Sequence, residues 1–132
     1  MSGILERGLF AGGSWRDAES GETVEIRDPA TGKVIGRSAL AGGRDVDRAV
    51  EAAVNAFPAW RDTHPDERAA IIRRAADFVE ERVQEISRVL TLEQGKPVLD
   101  SRKEILFGVE VLRYYAEEGR RVSGSLRPSA RP

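Results

Sequence analysis

The chain has no cysteine in 132 residues and a single histidine, His64. Without thiols it can form no disulfide, no Cys-ligated metal site and no thiolate nucleophile. His64 stands next to Pro65 at a predicted helix start, where capping or exposure accounts for it better than acid–base chemistry. No G-x-G-x-x-G fingerprint is present, and Gly12-Gly13 and Gly42-Gly43 read as turn glycines. Thr31-Gly32-Lys33 lacks both the upstream glycine and the following Ser/Thr of a phosphate loop. No run approaches the ~18 consecutive apolar residues of a membrane helix. No basic region followed by an apolar core opens the chain, so no signal peptide is visible. Twenty-one Lys and Arg against 22 Asp and Glu leave a formal charge of −1. That balance gives no general attraction to nucleic acid or to an anionic membrane. The expectation is a cytoplasmic protein with neither as partner.

What is present is dense patterning. Leu9-Phe10-Ala11-Gly12-Gly13-Ser14-Trp15 sets large apolar residues around a Gly-Gly pair, which predicts strand, tight turn and strand. Val24-Glu25-Ile26-Arg27 alternates as a half-buried strand does. Asp28-Pro29-Ala30-Thr31-Gly32-Lys33 reads as a turn, with Pro presetting φ and Gly tolerating positive φ. Val34-Ile35 opens a further strand ending near Leu40.

The period then changes from two to 3.6. Val46, Ala49, Val50, Ala53 and Phe57 fall on one helical face, with Asp45 and Asp47 in the first turn, where the dipole favours anions. Pro58 or Trp60 is expected to end this helix. Thr63 or His64 caps the next, with Pro65 in its first turn. One apolar stripe runs through Ile72, Ala75, Ala76, Val79, Val83 and Ile86, and Val89, Leu90 and Leu92 carry it to a Gly95 cap with Pro97 beyond. A last helix spans about Val98 to Gly119, burying Ile105, Val109, Leu112 and Ala116 with Tyr115 beside them. The acidic pairs Glu80-Glu81 and Glu117-Glu118 read as solvated faces with i,i+4 partners, not as an acid/base dyad. Residues 120–132 hold Arg120, Arg121, Arg127 and Arg131 among Ser, Gly and Pro, with no acid after Glu118. A flexible basic tail is expected there, with a docking tail as the sharper alternative.

Seven stretches occur in order: Trp15, Asp28–Gly32, Asp45–Val50, Ala56–Trp60, Glu67-Arg68, Thr91–Pro97 and Tyr114–Gly119. Together they resemble the N-terminal segment of the NAD(P)-dependent aldehyde dehydrogenase superfamily. The Leu-Glu-Gln-Gly-Lys-Pro and Tyr-Ala-Glu-Glu-Gly runs look most like its succinate-semialdehyde dehydrogenase branch. The resemblance implies an α/β fold: residues 1–119 as the N-terminal part of a Rossmann-like cofactor-binding domain, short strands followed by about four helices. It also implies that the catalytic Cys, the general-base Glu and the cofactor motifs lie downstream of the matched segment. No catalytic and no cofactor-binding residue can therefore be assigned here. NAD or NADP belongs to the complete protein and is not expected on this chain alone.

One site role is implied by the resemblance. In many family members an acidic residue just before the Gly-Lys-Pro run joins strand carbonyls to hold a structural monovalent cation. The matching positions are Glu93 and the carbonyls of Ile26 and Arg27, and hard oxygen ligands suit such an ion. The alternative is that Glu93 merely ends a helix near Lys96, at a helix C-terminus where an acid is electrostatically poor without a cation. If the cation is held, the turn at Pro29–Gly32 must pack beside the turn at Gly95–Pro97. Two function classes stay open. One is the N-terminal part of an aldehyde dehydrogenase, partnered by the downstream sequence or by further copies. The other is a non-catalytic or remnant protein that assembles through exposed apolar helix faces.

Overall fold

The computed structural model describes residues 5–124. They form strands β1 (Leu5–Arg7), β2 (Leu9–Ala11), β3 (Ser14–Arg16), β4 (Thr23–Arg27) and β5 (Val34–Ala39). Helices α1 (Gly43–Asp62), α2 (Pro65–Glu81), α3 (Val83–Gln94) and α4 (Val98–Glu118) follow.

β2 and β3 make the expected hairpin, with Phe10 opposite Trp15. Gly12 and Gly13 adopt φ of 60° and 78°, the double positive φ that a two-residue hairpin turn of type I′ requires. The two aromatic rings meet 5.1 Å apart, a cross-strand pair on an otherwise exposed ribbon. β5 is the centre of a three-stranded sheet, antiparallel to β4 and parallel to β1. The sequence pattern did not foretell β1, because three residues are too short to show alternation.

α1 begins where Asp45 folds its carboxylate back. Its oxygens accept from the Gly42 N–H at 3.0 Å and from the Glu19 N–H at 3.1 and 3.3 Å. A buried acid thus ties the helix start to the loop before β4 and satisfies an end donor. The helix does not stop at Pro58 or Trp60 but continues to Asp62. Proline removes one donor, and Val54, four residues before it, is exposed, so water can serve its carbonyl. The true end is built by side chains. Thr63 Oγ1 donates to the Ala59 carbonyl at 2.7 Å, and Arg68 from α2 donates to the carbonyls of Trp60, Arg61 and Thr63. A cation there complements the negative end of the helix. His64 is the N-cap of α2, its Nδ1 accepting from the Asp66 N–H at 3.3 Å.

The stripe from Ile72 to Leu92 is divided between two helices. Arg82, at φ −103° and ψ 14°, interrupts the ladder, and its guanidinium forks onto Glu85 at 2.8–3.0 Å. Both halves keep facing α4, which packs along α2 and α3. The periodicity therefore runs through the break. The core of this unit is made of small residues. Ala69 and Ala76 of α2, Ser87 of α3, and Ser101, Val109 and Ala116 of α4 are buried. Small side chains at a helix contact let the backbones approach closely. The buried hydroxyls are satisfied: Ser87 donates to the Val83 carbonyl at 2.5 Å, and Thr91 and Ser101 share a 2.8 Å hydrogen bond. Of the face expected on α4, Val109 and Ala116 are buried and Ile105 is half-buried. Leu112 is 37% exposed at the edge of that face, and Tyr115 beside it is exposed.

The acidic pairs also find partners other than those expected. Glu117 pairs with Arg73 across the helices at 2.5 Å and with Arg120 at 3.0 Å. Arg113 of α4 bridges Asp77 and Glu80 of α2 at 2.7 and 2.6 Å. Arg120 reaches Asp66 at 2.5 Å, and Glu118 pairs with Arg121 at 3.1 Å. Packing of α2 beside α4 supplies the Arg73, Arg113 and Asp66 contacts, which local spacing cannot reveal, whereas Glu117–Arg120 and Glu118–Arg121 are local i,i+3 pairs. Residues 125–132 of the expected tail lie outside the described residues.

Candidate functional site

The junction between the β4–β5 turn and the α3–α4 turn holds the site residues implied by the sequence. β4 ends at Arg27, and the β4–β5 pairing is irregular between Ile26 and Arg27. Ile26 pairs with Gly36 and Arg27 with Val34, so the extra residue is Ile35 on β5. The turn that follows is self-supporting. The Asp28 carboxylate accepts from the Ala30 N–H and the Thr31 hydroxyl, both at 2.8 Å, and Gly32 N–H donates to the Asp28 carbonyl at 2.7 Å. The Thr31 hydroxyl first, then the Ala30 N–H, hold the Asp28 carboxyl below its ordinary pKa. Arg27 Nη1 closes the loop on the Gly32 carbonyl at 3.1 Å.

α3 arrives from the other side. Gly95 ends it in the left-handed region, φ 71°, with its N–H on the Thr91 carbonyl at 2.8 Å. A side-chain carbon at Gly95 would lie 2.9 Å from Pro29 Cγ and 3.3 Å from the Ala30 nitrogen. The two turns therefore touch, as the cation reading required of the chain. Glycine is needed twice over, for its backbone angle and for the close approach of Pro29. Glu93 stands exposed in the last turn of α3. Lys96 pairs with Glu104 of α4, not with Glu93. Among the described residues no three His, Cys, Asp or Glu side chains gather as a metal cluster.

A second concavity of about 220 Å³ lies between the β2–β3 hairpin and α1, walled by Leu9, Phe10, Ala49 and Ala52. Its charged rim is committed elsewhere: Asp45 to backbone donors and Arg48 to Glu19 at 2.6 Å. It offers no nucleophile and no acid/base pair. The sequence reading missed the Asp45 latch and the Arg68 cap. An acid three residues after Gly42 has the capping-box spacing and was the available signal for the first. Nothing local announces the second. No helix among the described residues is long and apolar enough to cross a membrane.

The aldehyde dehydrogenase family matches residues 15–132. Glutarate-semialdehyde dehydrogenase of Pseudomonas aeruginosa is 37% identical over 129 residues, spanning 98% of this chain and 27% of that protein. The NADP+ succinate-semialdehyde dehydrogenase of Escherichia coli is 34% identical over 127 residues, spanning 96% of this chain and 26% of that protein. Among solved structures, succinate-semialdehyde dehydrogenase from Burkholderia pseudomallei has a TM-score of 0.91 at 38% identity, covering 96% of this chain and 26% of that one. The chain thus spans about a quarter of the length of the relatives it matches. With the turn junction and helix order in place, the chain belongs to the aldehyde dehydrogenase family and matches the N-terminal part of its Rossmann-like NAD-binding domain.

Proposed function

We propose that residues 1–119 supply the outer layer of the cofactor-binding domain of an aldehyde dehydrogenase. The complete polypeptide would oxidise an aldehyde to a carboxylate with hydride transfer to NAD+ or NADP+. Succinate semialdehyde is the proposed substrate, after the run Leu92–Pro97. The observation that carries this reading is the match of 96% of the chain to the Burkholderia pseudomallei enzyme at TM-score 0.91. The chain's own role is packing and positioning. With no thiol in the sequence it brings no thiolate nucleophile, and the described residues seat no pyrophosphate on a glycine turn. Further copies of the complete protein are the proposed partners, and the cytoplasm is the proposed location.

A chimera tests this. The chain replaces the matching segment of the Burkholderia pseudomallei enzyme, and reduced cofactor is followed with succinate semialdehyde. The chimera is expected to turn over, and the chain alone to give nothing above a heat-killed control. A folded chimera that fails to bind NAD+ or NADP+ would overturn the reading, as would turnover by the purified chain alone.

Within the same reading, Glu93 and the carbonyls of Ile26 and Arg27 hold a monovalent cation that pins the two turns together. Support comes from the Gly95–Pro29 contact, which sets the two turns side by side. Sodium or potassium should raise the thermal midpoint of the chimera relative to choline at equal ionic strength, and Glu93→Gln should remove the difference. An equal response in the variant would dismiss the site. The non-catalytic reading is favoured by one observation, the uncovered apolar stripe of α1.

A further inference from the structure

We propose that His64 is a proton-driven switch in the two-residue link between α1 and α2. Neutral, its ring caps α2. Protonated, it releases that cap and takes the Asp66 carboxylate instead. The switch is a property of the link and does not depend on aldehyde oxidation.

α1 ends at Asp62 and α2 begins at Pro65, so Thr63 and His64 are the whole link. The Thr63 half is fixed, because its N–H and its hydroxyl both donate to the Ala59 carbonyl. The His64 side chain rests on one bond, Nδ1 accepting from the Asp66 N–H at 3.3 Å. That N–H lies in the first turn of α2, where the helix itself supplies no acceptor. The bond needs a lone pair on Nδ1, so the ring that caps is neutral and carries its proton on Nε2.

His64 is the single histidine of the chain, and histidine is the side chain that changes charge between about pH 5 and 8. When Nδ1 takes a proton from solvent it becomes a donor. It then faces a second donor, the Asp66 N–H, and sets a cation at the positive end of a helix. Both effects expel the ring from the cap.

The alternative partner stands beside it. Asp66 Oδ2 lies 3.6 Å from Nδ1, while Oδ1 is held by Arg120 Nε at 2.5 Å. The two oxygens are separate seats for two cations, so the protonated ring joins Arg120 without displacing it. The Arg120 guanidinium, before any other group, holds the Asp66 carboxyl below its ordinary range, which keeps it ionised while a histidine titrates. The other charges about the link are committed. Arg61 and Asp62 pair at the end of α1, Arg68 donates to α1 carbonyls, and Arg73 and Arg120 share Glu117 of α4. Glu67 sits in the first turn of α2, where the dipole favours its charge. Asp66 is the acid that the structure pairs with the ring. Acidification thus exchanges a backbone bond that stiffens the link for an ion pair. α2 stays tied to α4 through Arg120, while the turn joining it to α1 loosens.

Nuclear magnetic resonance of the isotope-labelled chain between about pH 8 and 5 reads the switch. The Asp66 N–H and the Asp66 carboxyl carbon are expected to move with the same midpoint as the His64 ring. Hydrogen exchange of the Asp66 N–H, corrected for its ordinary pH dependence, should rise about fivefold, the size of one lost helix cap. His64→Asn supplies a cap acceptor that does not titrate, and should hold the neutral-pH protection throughout. His64→Ala should show the faster exchange at every pH. The chimera with the Burkholderia pseudomallei enzyme is the second arm, in which mass-detected exchange of residues 63–73 should follow the same pattern. An Asp66 N–H and carboxyl that stay still while His64 titrates would overturn the proposal. So would a response that persists in His64→Asn, or a 63–73 segment of the chimera indifferent to pH.

Discussion

α1 and the α2–α4 unit both carry helical periodicity, yet one stripe is open and the other is closed. The residues at the two seams explain why. α2 and α4 meet through Ala69, Ala76, Ser101 and Ala116, which admit another helix at close range, and arginines on both sides lace the rim. α1 presents Val50, Phe57 and Trp60, which project past anything the described residues can set against them. Periodicity identifies the face that wants cover. Residue size at that face tells whether the chain supplies the cover itself.

The largest effect that separates the two regions should come from a charge placed in each. Val109 is 1% exposed within the α2–α4 seam. Val109→Asp buries an unpaired carboxylate and should cost about 3–5 kcal/mol, enough to erase a cooperative thermal transition. Val50, 56% exposed on α1, should tolerate Val50→Asp with a change of no more than about 0.5 kcal/mol. Thermal denaturation of both variants checks the pair. Equal destabilisation would mean that α1 is covered after all.

The next test compares two left-handed glycines. Gly32 and Gly95 share a φ of 71°, but nothing lies within 4 Å of a side-chain carbon at Gly32, whereas Pro29 blocks one at Gly95. Gly32→Ala should cost only the backbone strain, about 1–2 kcal/mol. Gly95→Ala adds a clash that must push the two turns apart, so its loss should be clearly greater, and any response to sodium or potassium should vanish with it. Urea midpoints of the two variants decide this. Equal losses would show that the junction gives way freely.

The parts legible in the sequence were those whose causes are local. Gly12-Gly13 announced the hairpin, Asp28–Lys33 the turn, and His64-Pro65 and Gly95 their helix ends, because a backbone angle or a capping atom at one position is sufficient. The illegible parts depend on distant neighbours. β1 exists only because β5 offers it an edge. The break at Arg82 leaves the stripe intact because both halves face α4. The carboxylates of Glu80 and Glu117 are drawn to arginines 33 and 44 residues away, not four. The candidate site lies between these cases. Nothing in the spacing of Ile26, Arg27 and Glu93 joins them, and only the family resemblance put the two turns in contact.

The smallest effect concerns the ion pairs themselves. Glu117 has its pKa lowered chiefly by the Arg73 guanidinium, then by Arg120, and Asp66 has its own lowered by Arg120. A carboxylate with a depressed folded pKa contributes stability above its unfolded value and loses it as pH falls through the folded one. The α2–α4 unit should therefore hold its stability down to about pH 4.5, the ordinary glutamate value, and weaken progressively below it. These groups are solvent-exposed, so the slope should be shallow and salt should flatten it further. On α1, Asp62 is also depressed, by Arg61. Those two are adjacent in sequence, so much of that interaction survives unfolding and little of it registers as stability. Urea midpoints followed from neutral into acid pH separate the two. Glu117→Gln should flatten the acid limb, and Asp62→Asn should leave it as in the parent chain. If Asp62→Asn flattened it equally, the acid response would belong to local helix-end charge and not to the clasp between α2 and α4.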